Sequence, residues 1–278
     1  MRSGTPSLTA SIVALGRGLA DDPVAERLLP APLRIAHRVL RQASARAAWA
    51  GPLTNVLMGG LVEHMRWRTA AIDHCLNEAI VSGIEQVVIL GAGLDARAYR
   101  MKALARAVVF EIDHPSTQAY KRSRTAGLSP TARTVHFTAL DFERDALADA
   151  LEQAGHHTDL PTLWIWEGVT PYLARGAIRA TLEQIAARSA PGSRLAMTYV
   201  PPELTAVRVS PRLIHFSFRV LGEPLRGLMT SREAAAELSN AGFGVLHDRS
   251  SAERTRQVWT LPFTALLTER LVIAERTA

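Results

Sequence analysis

The chain has 278 residues, of which 47% are hydrophobic and 21% charged, a composition that excludes a long disordered or fibrous protein. Its formal net charge is +6, and because only Lys102 and Lys121 are lysines, arginine supplies nearly all the basic charge. The arginines are scattered among acids rather than gathered in one block, so the charge describes a general surface bias and not a nucleic-acid footprint. Cys75 is the only cysteine, which excludes an internal disulfide and a cysteine-based zinc site and fits a reducing, cytoplasmic setting. No run approaches the ~18 apolar residues that span a bilayer. The segment Leu8–Ala20 fails as a leader because Arg17 interrupts it and Asp21-Asp22 follow, so it reads as a short helix.

The first 83 residues are helical in pattern. Ser11–Ala20, Pro32–Trp49 and Leu53–Ile80 carry apolar residues at three- and four-residue spacing. Pro30, Pro32 and Gly51-Pro52 punctuate them, and Gly59-Gly60 is placed to kink the longest piece. This is more helix than one crossover needs, and residues 1–83 are expected to form an N-terminal cap or lid.

At Gln86 the texture changes. Gln86–Leu90, Ala107–Ile112, Thr134–Leu140, Thr162–Trp166 and Arg194–Val200 are short apolar runs. They alternate with helical segments near Arg97–Leu104, Ser116–Ser123, Glu143–Ala154 and Arg175–Ser189. Such alternation predicts an α/β domain over residues 84–278, with parallel strands joined by right-handed crossovers and a sheet covered on both faces. The tail adds a capped helix over Ser231–Ala241, a strand from Gly242 through His247, and a final strand over Arg270–Glu275 that pairs antiparallel with it. Residues 201–230 break the alternation after Pro201-Pro202 and are expected as an insertion at the carboxyl edge of the sheet, where such folds bind ligands, or as a plain helical connection.

Four strand ends carry chemistry. Leu90-Gly91-Ala92-Gly93-Leu94-Asp95 follows a buried strand and opens a helix, the context of a nucleotide-binding glycine turn. Gly91 and Gly93 allow a sharp turn and close approach of a ligand, and Asp95 is placed to cap the next helix. Gly91, Gly93 and Ala96 also satisfy the pattern of dinucleotide binders, so an NAD-dependent oxidoreductase is one reading. Asp113, ending the next strand, lies where a carboxylate accepts hydrogen bonds from ribose hydroxyls. Glu111, two residues before it, is expected to partner Arg97 or Arg100. Asp141 and Phe142 end the third run with an acid and an aromatic, suited to an exocyclic amine and an adenine ring. Glu167 ends the fourth, with Tyr172 just beyond; the alternative for it is a strand-end acid paired with Arg97. An anionic pyrophosphate would be badly served by Asp141 and Glu167, whereas a ligand bearing an ammonium and a sulfonium, as S-adenosyl-L-methionine does, would be well served.

These motifs together resemble the leucine carboxyl methyltransferase family of class I S-adenosylmethionine-dependent methyltransferases, and most closely its bacterial branch, which includes polyketide O-methyltransferases. The matching pieces are Arg68-Thr69 with Asp73, QVVILGAGLDARAYR, FEIDHPSTQAYK, LDF, PTLWIWEGVTPYL and RLVIAER. They cover about residues 66 to 200 and the tail, in the family's order. The resemblance implies a Rossmann-like, seven-stranded, mostly parallel sheet with an antiparallel last strand and a helical N-terminal lid. It implies that Arg68 pairs with the methionine carboxylate, Gly91 lies under the methionine moiety with Gly93 in the same turn, and Asp113 holds the ribose. Asp141 and Phe142 would frame the adenine, and Glu167 would lie near the amino end of the cofactor.

The implied activity is O-methylation, with the carboxylate of a small acidic metabolite or natural product as acceptor. A carboxylate is already deprotonated near neutral pH and needs no general base. A phenol or enol acceptor would need one, and His215 in the insertion is the candidate tested first. Tyr172, Tyr199 and Arg208 are further candidates for acceptor contact. No metal, nucleic acid or membrane is expected as a partner. An RNA-modifying protein is disfavoured because an amide-proline-proline-aromatic motif is missing, and a catalytically silent cofactor-binding homologue remains open.

Overall fold

In the computed structural model the apolar runs become one seven-stranded sheet; the described residues are 8–202 apart from 21, 48, 59 and 143, together with 216, 218, 219, 224–250 and 269–277. The strands are β1 (Gln86–Leu90), β2 (Val108–Asp113), β3 (Thr134–Ala139), β4 (Thr162–Trp166), β5 (Arg194–Tyr199), β6 (Phe243–Ser250) and β7 (Arg270–Arg276). Their spatial order is β3-β2-β1-β4-β5-β7-β6. The pairs from β3 to β5 are parallel, whereas β7 runs antiparallel to both β5 and β6. The sequence expectation of a mostly parallel sheet closed by an antiparallel strand is met.

Helices cover both faces of this sheet, which is why its central strands read as unbroken apolar runs rather than alternating ones. Each strand still sends alternate residues to opposite sides. Val88, Leu90, Phe110, Ile112, Trp164, Trp166, Leu195 and Met197 pack against α8 (Leu147–Gln153), α9 (Arg175–Ala187) and α10 (Ser231–Asn240). Val87, Ile89, Val109, Leu163, Ile165 and Ala196 face the other way, onto Ile72, Cys75, Leu76 and Ala79 of α5 (Leu61–Val81). The long helix α5 therefore forms one layer of the α/β sandwich. Its Leu76, fully buried, belongs to a class of side chain whose truncation to alanine costs about 2–5 kcal/mol.

The other N-terminal helices are α1 (Leu8–Leu19), α2 (Ala25–Leu28), α3 (Ala31–Arg46) and α4 (Ala50–Leu57). Gly60 adopts a left-handed φ of 80° between α4 and α5. The piece read as one kinked helix from Leu53 to Ile80 is thus two helices, because a left-handed residue ends the hydrogen-bond ladder instead of bending it. Ala14 and Leu15 of α1 and Leu28 and Leu29 pack on Leu94 and Ala96, which sets α1 directly over the turn after β1.

The remaining elements are α6 (Arg97–Arg100), a short 3-10 turn over Lys102–Arg106, α7 (Pro115–Thr125) and a second 3-10 turn over Thr170–Tyr172. Helix α7 starts on Pro115, whose missing N–H costs nothing in a first turn. Strand order reverses between β1 and β4, whose last residues Leu90 and Trp166 are register partners. A crevice opens at such a switch point, at the carboxyl ends of the strands.

Candidate functional site

The crevice is a cavity of about 410 Å³ whose lining includes Arg68, Gly91, Gly93, Asp113, Asp141, Phe142 and Glu167. All seven residues read from the sequence as cofactor contacts therefore line one cavity. A larger depression of about 980 Å³ lies between α5 and β7 but contains none of the strand-end carboxylates.

The turn after β1 is shaped by its glycines. Gly91 has φ 64°, and a Cβ there would fall 2.2 Å from Val169 Cγ2, so only glycine fits. Gly93 has φ 48° and donates its N–H to Asp113 Oδ2. Asp113 Oδ1 accepts the His114 N–H at 2.6 Å. Burial raises the Asp113 pKa, against the pull of those two amides. A carboxylate offers about four lone-pair positions, so Asp113 keeps acceptor capacity for hydroxyl groups in the cavity. Beyond β3, the Asp141 backbone N–H is held by Asp145 Oδ2 at 2.8 Å, and the Asp141 carboxylate lies 3.8 Å from Arg144 Nε. Phe142 packs partly on the main core while lining the cavity, presenting an apolar surface beside an acid.

At the other end of the cavity Glu167 sits among three arginines. Its Oε1 is 2.6 Å from Arg17 Nη2 and 2.6 Å from Arg68 Nε, and its Oε2 accepts from Arg97 Nη1 at 2.8 Å. Burial alone would raise its pKa, but Arg17, Arg68 and Arg97 outweigh burial and hold the carboxyl well below its ordinary range. Arg97 also binds Asp73 at 2.7 Å and Asp95, and Arg100 bridges Asp73 at 2.7 Å and Asp22 at 3.1 Å. Arg68 Nη1 donates to Glu269 Oε2 at 2.6 Å, where His64 Nε2 also lies, at 2.7 Å. Burial would raise Glu269, yet Arg68 and His64 bring it down to about 2. Buried charges persist only when matched in this way.

Several expectations need correction. Glu111 pairs with Lys121 Nζ at 2.5 Å, not with Arg97 or Arg100, because both side chains are buried between β2 and α7. Burial moves Glu111 up to about 7, with Lys121 resisting. Tyr199 is fully buried and donates to Asp248 at 2.6 Å, so it stands in the core and not on the cavity wall. Asp95 lies one residue before the α6 cap position, Ala96; its Oδ1 accepts the Arg97 N–H at 2.8 Å. Of the other acceptor candidates, Tyr172 lines the cavity, whereas Arg208 and His215 lie outside the described residues. Within 201–230, Pro224 and Arg226 line the cavity.

Sequence reading missed Arg17 and Glu269 as members of this cluster. Arg17 did leave a signal, since it interrupts an otherwise apolar helix. Glu269 left none, because only folding brings the start of β7 beside α5.

Comparisons with known proteins bear on the family and the fold. The family model described as leucine carboxyl methyltransferase matches residues 9–186. A Mycobacterium marinum protein named "Putative S-adenosyl-L-methionine-dependent methyltransferase" is 39% identical over 213 residues, and the match covers 69% of this chain and 66% of that one. A similarly named Mycolicibacterium gilvum protein is 35% identical over 211 residues, covering 71% and 68%. The match to the first relative thus spans just under two thirds of its length. Among solved structures, a duf574 family protein from Streptomyces avermitilis has a TM-score of 0.63 at 12% identity and 98% coverage of both chains. A "putative methyltransferase" from Thermobifida fusca has a TM-score of 0.60 at 17% identity, covering 99% of this chain and 96% of that one. At those identities the structures establish the shared fold, while the family match extends over more than half of the sequence. The chain belongs to the leucine carboxyl methyltransferase family.

Proposed function

We propose that the protein is an S-adenosyl-L-methionine-dependent O-methyltransferase acting on the carboxylate of a small acidic metabolite or natural product. The observation that carries this reading is the convergence of Asp113, Asp141, Glu167 and Arg68 on one cavity at the carboxyl ends of β1 to β4. The polar groups fit the cofactor end to end. Asp113 has acceptor positions for two ribose hydroxyls, and Asp141 with Phe142 offers an acceptor beside an apolar face. At the methionine end Glu167 supplies the carboxylate for an ammonium, and Arg17 and Arg68, each 2.6 Å from its Oε1, supply guanidiniums for the α-carboxylate.

When bound, the cofactor supplies an electrophilic methyl group on a sulfonium. The chain's own residues position and enclose it. Arg17 brings α1 across the cavity, and Val13 and Ala10 of that helix add apolar lining that excludes water. Attack by a carboxylate on a sulfonium methyl neutralises two opposite charges, so a dry site favours it. Alignment of oxygen, carbon and sulfur is then the main contribution of the protein. The one histidine among the described cavity residues, His114, is held by Ser116 Oγ at 2.9 Å beside Asp113, an arrangement suited to capping α7. An acceptor that needs no base fits this lining better than a phenol.

The test is a screen of carboxylic acids and phenols with methyl-labelled cofactor, followed by mild base. Esters release the label as methanol, whereas phenol ethers retain it. Calorimetry distinguishes the oxidoreductase reading: the protein should bind S-adenosyl-L-methionine, and binding of NADH alone would defeat the proposal.

A further inference from the structure

The hairpin of α3 and α4 presents a surface that the cavity does not use. Six of the eleven large hydrophobic side chains exposed among the described residues lie on it: Ile35, Val39, Trp49, Leu53, Val56 and Leu57. Trp49, Leu53, Val56 and Leu57 recur every three or four residues, which lines them along one face of α4, and Ile35 and Val39 stand one turn apart on α3. A helix of a globular domain turns such a stripe inward. Here Ala50 and Thr54 are the buried positions of α4, while Trp49 is 68% and Leu57 78% exposed. An apolar patch of this kind marks an interaction surface.

The same segment carries charge of one sign. From Arg27 to Val62 the sequence holds five arginines and no Asp, Glu or Lys. Arg34, Arg38 and Arg41 follow one another at helical spacing, flanking the strip of Ile35 and Val39. Glu26 answers one of them, lying 2.5 Å from Arg38 Nε. The bias continues onto α7: Arg124 Nη2 donates to Arg27 O at 2.7 Å and Arg27 Nη2 to Ala126 O at 3.4 Å, so these two guanidiniums meet backbone carbonyls rather than carboxylates. The hairpin is therefore an apolar stripe set in a basic surround.

A second copy suits this face poorly, because a two-fold contact would set arginines against arginines. A nucleic acid would answer the charge but not the six apolar side chains. An anionic lipid surface answers both, with an apolar layer for the stripe and negative headgroups for the arginines, whose stems lie along the boundary. Among the described residues no helix is long and apolar enough to cross a membrane. A helix lying in the interface need not be, so the sequence expectation of no membrane partner, drawn from the lack of a spanning run, does not bear on it. We propose that the α3–α4 hairpin docks the protein on a membrane surface rich in anionic lipid. Helix α3 packs on α1, where a Cβ on Gly18 would fall 3.0 Å from His37 Nε2, and Ala10, Val13 and Arg17 of α1 line the cavity. The membrane then lies one helix away from the cavity, which, on the methyl-transfer reading above, suits an acid that partitions into lipid.

The test is flotation of the full chain with vesicles of phosphatidylcholine and of phosphatidylglycerol, without cofactor, so that it stands apart from any methyl transfer. Wild type should float with phosphatidylglycerol, stay behind with phosphatidylcholine, and be released as salt rises. Arg34→Gln combined with Arg46→Gln should weaken binding about fivefold per charge removed. Leu53→Ser combined with Leu57→Ser should weaken it about tenfold or more, since binding scales with buried apolar area. These side chains point outward or lie near the surface, and unchanged melting temperatures check that every variant folds. Equal flotation with both lipids would overturn the proposal. So would a loss confined to the arginine variant, which would make the face a polyanion site, and a wild-type dimer that the leucine variant splits, which would give the face to a second copy. Wild type that floats with neither lipid would also overturn it and leave the face to an acidic protein. Vesicle binding by a protein that fails to bind S-adenosyl-L-methionine would uphold the docking surface while removing the methyl-transfer reading.

Discussion

Arg17 on the first helix and Glu167 at the end of β4 meet at 2.6 Å, and both side chains are almost fully buried. This contact ties the N-terminal helix to the strand-end crevice. Since Arg68 and Arg97 also reach Glu167, the carboxylate keeps two cationic neighbours if Arg17 is removed. Arg17→Met should therefore leave the sheet folded while loosening α1. We expect faster amide exchange across residues 8–20 and cofactor affinity weaker by about 1.5–3 kcal/mol, the range of a hydrogen bond to a charged group. Unchanged exchange in α1 would show that its apolar contacts with Leu94 and Ala96 suffice to hold it.

Asp113→Ala removes the carboxylate that accepts from Gly93 and His114 and faces the cavity. Cofactor binding should weaken by about 1–3 kcal/mol. Arg68→Ala should do the same and also lower stability, because among the described residues it leaves Glu269 with His64 as its ion-pair partner. Calorimetry and thermal melting on the two variants separate these effects. Unaltered affinity in both would place the cofactor elsewhere.

Gly91→Ala combines a steric and a conformational cost. The new methyl would meet Val169 Cγ2 at 2.2 Å, and φ 64° is itself unfavourable for alanine, by about 1–2 kcal/mol. Pairing it with Val169→Ala should relieve the steric part and leave the backbone part. A double-mutant cycle by urea unfolding should give a favourable coupling of about 1–3 kcal/mol. Simple additivity of the two substitutions would mean the turn moves aside.

Glu269 makes stability depend on acid. Its carboxyl titrates at about 2 in the folded protein, below the ordinary 4.5. Stabilisation from a lowered carboxyl pKa is complete above the unfolded value and disappears as pH falls through the folded one. Its contribution, on the order of 3 kcal/mol, should be lost between about pH 4.5 and 2. In urea unfolding at stepped pH, the gap between wild type and Glu269→Gln should narrow over that window. A gap independent of pH would assign the effect of the substitution to packing instead of charge.

The strands, the glycine turn and the strand-end acids were legible in the sequence because each rests on local rules. Unbroken apolar runs such as Thr162–Trp166 mark strands buried on both faces, and Gly91 and Gly93 mark a turn that side chains would block. In a parallel sheet every strand ends on the same edge, so acids at positions 113, 141 and 167 had to share a crevice. What surrounds those acids was a different matter. The kinship of Arg17, Arg68, Arg97 and Glu269 around Glu167, the pairing of Glu111 with Lys121, and the withdrawal of Tyr199 into the core join segments far apart in the chain. Periodicity carries no record of which distant side chain neutralises a buried charge. That choice is made only when packing brings the segments together and removes the water that would otherwise have screened them.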